Sequence, residues 1–435
     1  MSSAPPLDAA VGGARRVVGL RCRECGSEYE LQATHVCEQC FGPLDVAYDY
    51  DQIRRTISRD RIAAGPKSIW RYRDLLPVED DVAPVTLGEG LTPLIHAQRL
   101  GAELGLRNLY LKNDAMNPTG SFKDRVVSVA ATWARVHGFT TLGCASTGNL
   151  AHAVAAYGAQ AGLETYVFLP TDTEAQKIGA TSVFEPHLVR VRGNYDEVNR
   201  LCSQLIDEGY PWAFCNINVR PFYAEGSKTL TLETAEQLGW RLPDEIVIPI
   251  GSGCQFVRHR RAAQELLDLD LVEGRGLPRF TGAQALGCAP VYNAWQAGTE
   301  RVTPVRPDTI ARSIAIGNPS DGTYVVRIAK ETGGVVEAVT EDEIRDAMRL
   351  LARTEGIFAE TAGGVTIAVL RKLARAGRWR GDETIAAYIT GNGLKTPDAI
   401  AGEGAPGRTF EIDPTLGAFR KQVRPTGGSD DVPFV

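Results

Sequence analysis

From Asn108 onward, short β-rich runs alternate with helical patterns, and that alternation leaves the chain very few architectures. The runs NLYLK, TLGCAS, ETYVFLP, LVRVRG, EIVIPI and TIAAYIT read as buried strands. Between them, Val198, Leu201, Cys202, Leu205 and Ile206 fall on one face of a helix. Thr340 followed by Glu343 forms a capping box that opens another helix, carrying Ile344, Ala347, Met348 and Leu351. Parallel strands need crossovers of this kind. The fold class is therefore α/β, doubly wound. At 435 residues the chain exceeds what one hydrophobic core usually supports, so two or three structural units are expected.

Charge and composition narrow the partners. The 47 basic and 53 acidic side chains leave a net charge of −6, with no long run of either sign. That argues against nucleic acid or an anionic membrane as the main partner. The opening MSSAPPLDAAVGGARR lacks the apolar run of a signal peptide, and no later segment is apolar enough to span a bilayer, so a cytoplasmic protein is expected. Four of the nine cysteines cluster within nineteen residues and five scatter among apolar neighbours, which suits a reducing compartment rather than a disulfide scaffold. The closing RPTGGSDDVPFV is polar and rich in Gly and Pro, and reads as a loose tail.

The clustered cysteines sit in a segment from about Arg21 to Tyr50 that is too short for a core of its own. Cys22-x-x-Cys25 and Cys37-x-x-Cys40 are two knuckles eleven residues apart, a spacing that converges four thiolates on one tetrahedral Zn2+. With all four positions filled no site remains for water or substrate, so the metal is expected to be structural, the staple that a coreless module needs. Four reduced thiols or a redox pair are the plainer alternatives, but a redox CxxC normally sits beside a βαβ pattern. A nucleic-acid-gripping ribbon is the other rival, and Glu24, Glu28, Glu30 and Glu38 offset Arg15, Arg16, Arg21 and Arg23. His35 is expected on the surface, since the cysteines saturate the metal.

The most informative segment is Asn117-Pro118-Thr119-Gly120-Ser121-Phe122-Lys123-Asp124-Arg125. Lys123 follows a turn and leads into VVSVAATWA, which reads as a helix. A lysine that forms a Schiff base must be neutral for part of its cycle, and burial favours that state. Alone, such a lysine would more often be an ordinary helix-start residue. NPTGSFKDR, however, resembles the cofactor-lysine motif of fold-type II pyridoxal-phosphate (PLP) enzymes, threonine synthases in particular.

The resemblance continues through other motifs and implies their roles. Lys123 would be the Schiff-base lysine and principal proton shuttle. Ser146-Thr147-Gly148-Asn149 looks like the family's carboxylate-binding loop, whose asparagine also bonds the cofactor's ring oxygen. Leu150 stands where family members commonly place a hydroxyl. Gly251-Ser252-Gly253-Cys254-Gln255 resembles the loop that cradles the cofactor phosphate, with Cys254 and Gln255 replacing a frequent glycine and asparagine. Thr390-Gly391-Asn392-Gly393-Leu394-Lys395 resembles the TGxGLK motif, in which the threonine faces the pyridine nitrogen. Gly88-Glu89-Gly90-Leu91-Thr92-Pro93-Leu94, Glu225-Gly226-Ser227-Lys228-Thr229 and Ile316-Gly317-Asn318-Pro319 extend the match from Gly88 to Lys395. Thr92, Lys112, Ser146, Thr147, Gly148 and Arg220 are the expected substrate-binding residues; Lys112, Arg220 and Lys228 are candidates for a substrate phosphate, each equally able to be solvated.

As implied by this resemblance, the architecture is tryptophan synthase β-like, with two α/β subdomains behind an N-terminal zinc ribbon. The expected layout is a flexible N-terminus at 1–17, the ribbon at 18–50, a large cofactor domain from 51–135 and 216–405, a small mobile domain at 136–215 and a tail at 406–435. The implied enzyme is a homodimer that converts a small phosphorylated amino acid, O-phosphohomoserine, with water into threonine and phosphate. β-Replacement on phosphoserine by a cysteate-synthase-like protein, or threonine dehydration, would share the same cofactor motifs. A catalytically silent sensor or scaffold is the rival from another class, and the joint presence of Lys123, Asn149 and Thr390 speaks against it.

Overall fold

The computed structural model describes residues 15–146, 148–171, 173, 175–193, 195–274, 276–400 and 409–423. Thr147, most of the N-terminal segment and the whole of RPTGGSDDVPFV lie outside the described residues. One compact unit closes at Thr396 and a second begins at Pro397. The second contains a short helix, Leu416–Gln422, whose Thr415 hydroxyl accepts from Ala418 N–H at 3.1 Å. It falls within the stretch read from sequence as tail.

The first unit holds three sheets. Strands β1 (Val17–Cys22), β2 (Glu28–Tyr29) and β3 (Leu44–Tyr48) form an antiparallel sheet in the order β2-β1-β3. After β4 (Leu94–His96) and β5 (Asn108–Asn113), the chain leaves through the helix Lys123–Val136 and builds a second, wholly parallel sheet. Its strands are β6 (Thr141–Ala145), β7 (Glu164–Pro170), β8 (His187–Val191) and β9 (Trp212–Phe214), ordered β8-β7-β6-β9. Helices Arg220–Glu225 and Lys228–Gln237 then return it to β10 (Glu245–Pro249), β11 (Arg279–Ala285), β12 (Val336–Val339) and β13 (Thr384–Ile389). These complete a six-stranded sheet, β12-β11-β10-β13-β5-β4, parallel except for β4.

All six strands read from sequence are present, as β5, β6, β7, β8, β10 and β13. The amphipathic helix is Tyr195–Asp207, where Val198 and Cys202 pack against Phe168 and Phe214. The capping box of Thr340 and Glu343 opens the helix Glu341–Glu355. Strand β11, RFTGAQA, escapes a hydrophobicity reading because its buried Gln284 is polar. That side chain accepts from the Val291 and Tyr292 N–H groups at 3.0 Å each, satisfying the start of the helix Pro290–Gln296.

The cysteine-bearing sheet does not stand apart. Val17, Leu20, Leu44 and Val46 share a hydrophobic core with Trp133 and Phe222, and the charged rim is stitched to the large sheet's helices. Asp45 on β3 accepts from Arg23 at 2.7 Å and from Arg258 at 2.5 Å, while Tyr48 donates to Glu225 at 2.9 Å. No helix among the described residues is long and apolar enough to cross a membrane.

Candidate active site and cysteine cluster

The four sequence motifs all lie just past the carboxyl ends of parallel strands, where open α/β sheets place their ligand crevices. Asn117–Arg125 follows β5, Ser146–Asn149 follows β6, Gly251–Gln255 follows β10 and Thr390 follows β13. Backbone pairing joins two of them directly. Phe122 N–H donates to Thr390 O at 3.0 Å, Asn392 N–H donates to Gly120 O at 2.9 Å, and Ser121 bridges Gly391. A lysine and a threonine 267 positions apart are thus zipped side by side.

Lys123 opens a helix of fourteen residues, and its Nζ donates to the Tyr223 hydroxyl at 3.0 Å. Burial lowers its pKa to about 8, against the opposing pull of Cys254 and Glu360. The turn before it is fixed by Asp124, which accepts from the Thr119 N–H at 2.8 Å and its hydroxyl at 2.7 Å.

The loop Gly251–Gln255 turns β10 into the helix Cys254–Asp268, fifteen residues long. Gly253 has φ +86, and a Cβ there would lie 2.9 Å from Val325 Cγ2 and 3.0 Å from the Asp321 backbone, so only glycine fits. The first-turn N–H groups of such a helix have no intrahelical acceptor and favour an anion. Asp321 braces the loop, donating its N–H to Ser252 O at 2.9 Å, while its carboxylate pairs with Arg220 and, at 2.7 Å, with Arg23 beside the first knuckle. Arg220 lies against the Cys254 thiol.

Past β6, Gly148 precedes the helix Asn149–Ala161, and its N–H donates to the Ser146 hydroxyl at 3.3 Å. Asn149 Nδ2 donates to Glu360 at 2.7 Å, and its Oδ1 accepts from Lys395 Nζ at 2.8 Å. Glu360 and the contact of Lys395 with Asn149 escaped the sequence reading. Glu360 is held by its N–H donating to Gly391 O at 2.9 Å, a placement no local motif announces. Leu150 is buried in the core, so the residue that departs from the family pattern does not line the loop.

Two expected substrate residues are corrected. Lys112 is fully buried, with its ammonium 2.7 Å from Glu233 and donating to Thr92 O and Gln237, so it is closed to a substrate phosphate. The Thr92 hydroxyl is likewise committed, donating to Asp114 at 2.7 Å and accepting from Arg125 at 3.1 Å. Lys228 is not solvated either, since Glu225 and Glu265 enclose it at 2.8 and 2.9 Å. His35 is half-buried near Arg220 and Cys254 rather than on the surface; burial and then Arg220 lower its pKa to about 4. His152 packs edge-on against Phe184.

The four knuckle cysteines converge, their sulfurs all lying within 4.8 Å of one another. Gly42 packs closely against this cluster, where a Cβ would sit 3.0 Å from Cys22 Sγ and 3.2 Å from Cys40 Sγ. Gln39 N–H donates to Cys37 Sγ at 3.4 Å, and the Tyr29 hydroxyl lies 3.1 Å from the same sulfur. A set of four clustered thiols with such outer contacts suits a closed zinc site.

Comparison with known proteins agrees with this geometry. The family model described as pyridoxal-phosphate dependent enzyme matches residues 85–391, and one described as NinF protein matches residues 21–44. The chain is similar to threonine synthase of Methanocaldococcus jannaschii, 38% identical over 382 residues, covering 87% of this chain and 93% of that protein. It is 39% identical over 384 residues to threonine synthase of Methanosarcina acetivorans, covering 88% and 93%. Among solved structures it is similar to a fungal L-serine ammonia-lyase from Rhizomucor miehei, with TM-score 0.62, 19% identity and coverage of 73% of this chain and 98% of that one. The processed form of threonine deaminase isoform 2 from Solanum lycopersicum is similar as well, with TM-score 0.59, 20% identity and coverage of 78% and 96%.

Proposed function

This chain belongs to the pyridoxal-phosphate dependent enzymes of fold-type II, and within them to the threonine synthases; on that premise we propose that it converts O-phosphohomoserine and water into threonine and phosphate. The strongest single support is similarity to threonine synthases along most of the chain. The residues present fit the cofactor: an amine of depressed pKa, a glycine-cradled helix N-terminus, and Thr390 pinned beside the lysine. Lys123 would carry the cofactor, Asn149 and Thr390 would hold its ring, and Gly251, Ser252, Gly253, Cys254 and Gln255 its phosphate. When bound, the cofactor supplies an electron sink that stabilises negative charge at the substrate's α-carbon.

The chain's own groups supply the rest. Before it takes up the cofactor, Lys123 has a pKa of about 8 and is neutral in roughly one molecule in ten at pH 7. A neutral amine on a helix start takes a proton from Cα and, one carbon further, from Cβ. Tyr223 orients that amine. Ser146, Gly148 and the first turn of Asn149–Ala161 receive the substrate carboxylate. Incubation with O-phosphohomoserine and with phosphoserine separately, with and without sulfite, and mass spectrometry of the products test the reading. Threonine and phosphate are expected from the first; phosphate from phosphoserine alone would overturn it.

A homodimer in the cytoplasm accords with the same function, with a small phosphorylated amino acid and neither nucleic acid nor membrane as partner; the balanced charge supports this. A structural Zn2+ is assigned to Cys22, Cys25, Cys37 and Cys40. Elemental analysis is expected to find one zinc per chain, and Cys37→Ser to lower both zinc content and solubility. Native protein free of zinc contradicts the assignment.

Asp321 ties the ribbon to the phosphate loop. Asp321→Ala takes the carboxylate from Arg220 and one of two carboxylate partners from Arg23, which keeps Asp45, and is expected to weaken retention of the cofactor by about tenfold, the loss of roughly 1.5 kcal/mol of charge-assisted bonding. Equilibrium dialysis checks this, and unchanged retention rejects the brace.

A further inference from the structure

If the enzyme is a threonine synthase, it expels phosphate from the substrate's γ-carbon, and a cation must await the leaving group; the role assigned to Lys395 below depends on that function. The obvious cations are engaged elsewhere. Lys112 and Lys228 are sealed in the interior against carboxylates. Arg220 pairs with Asp321 and donates to the Ser320 hydroxyl at 2.8 Å, beside the loop that serves the cofactor's own phosphate. Lys123 carries the cofactor.

Lys395 differs from all of these. It ends the short 3-10 turn Gly393–Lys395, five residues beyond Thr390, and is half-buried. Its ammonium donates to Asn149 Oδ1 at 2.8 Å, a neutral acceptor, and it forms no ion pair among the described residues. Its stem crosses the turn that precedes Lys123: a Cβ on Gly120 would lie 3.3 Å from Lys395 Cε and 3.9 Å from its Nζ. The charge is thus suspended between the lysine motif and the helix that opens the carboxylate loop. Glu360 holds the opposite side of the same amide. Burial favours loss of the Lys395 proton, while Glu360 and Asp124 oppose that loss. An ammonium has three donors, and the bond to Asn149 uses one.

We propose that Lys395 binds the phosphate of the substrate and receives it as it departs from the γ-carbon. The bond to Asn149 anchors the ammonium beside the start of the helix Asn149–Ala161, and its remaining donors are left for the anion. This assigns to the last lysine of the Thr390–Lys395 motif a task distinct from that of its threonine.

Binding separates the idea from a structural role. The probes are the phosphonate isostere of O-phosphohomoserine and phosphate-free homoserine, each titrated into the cofactor-loaded enzyme and read by calorimetry. Lys395→Ala is expected to weaken the phosphonate by roughly 10- to 100-fold and to leave homoserine within about twofold. Lys395→Arg should recover part of the loss, and Lys395→Gln should behave as the alanine variant does. Equal weakening of both ligands, or of neither, overturns the proposal. Should wild-type enzyme release phosphate from phosphoserine alone, the threonine synthase reading fails, and the pair phosphoserine and serine carries the same comparison.

Discussion

Lys123→Ala is expected to lower kcat/KM by about 10⁴-fold or more, because one side chain both carries the cofactor and moves the proton that starts the reaction. Borohydride treatment of wild-type protein should fix the cofactor to the peptide that contains Lys123, and peptide mapping reads this directly. The depressed pKa adds a second signature. In protein stripped of cofactor, capture requires the neutral amine, whose fraction rises through the pKa of about 8. The capture rate should therefore climb roughly tenfold between pH 7 and pH 9, whereas a solvated lysine would still be climbing steeply beyond that point. Label on another lysine, or an alanine variant with full turnover, removes Lys123 from the assignment.

The fold was legible wherever a buried strand is continuously apolar. EIVIPI and TIAAYIT became the centre of the large sheet, and the cysteine spacing alone located the knuckles. Chemistry-bearing motifs were legible because each sits at a strand-to-helix turn whose glycines leave a pattern. What escaped at the site had a common cause, namely long-range pairing. Lys112 looks like any strand lysine until Glu233, 121 positions later, is folded against it. Glu360 gains its place beside Asn149 only through the backbone of Gly391. Burial of ionic groups leaves no local trace, so the sequence reading offered Lys112 and Lys228 to solvent or substrate when both belong to the interior.

That interior network should give the largest stability change in the molecule. Glu233 is fully buried and engages Arg125 twice, at 2.5 and 2.8 Å, and Lys112 at 2.7 Å. Arg125 is bound from its other side by Asp114 at 2.6 Å, so two cations face two anions. Burial alone would raise the Glu233 carboxyl, yet the charges of Arg125 and Lys112 outweigh it and hold the pKa at about 2. Glu233→Gln leaves a net positive charge in the core and is expected to cost about 3–5 kcal/mol, a large part of a typical total of about 5–15 kcal/mol. Arg125 sits two residues after Lys123 on the same helix, so the damage should also loosen the placement of the cofactor lysine. The sign of the pH dependence follows from the depressed pKa: this stabilisation is complete above the ordinary carboxylate range and is lost as pH falls toward about 2. Urea denaturation of wild type and variant should therefore differ most near neutrality and converge on acidification. Adding Lys112→Met to the Glu233→Gln background restores charge balance and should recover part of the loss. Identical denaturation midpoints for wild type and Glu233→Gln at neutral pH, or no recovery in the double variant, would show that the four charges do not act as one unit.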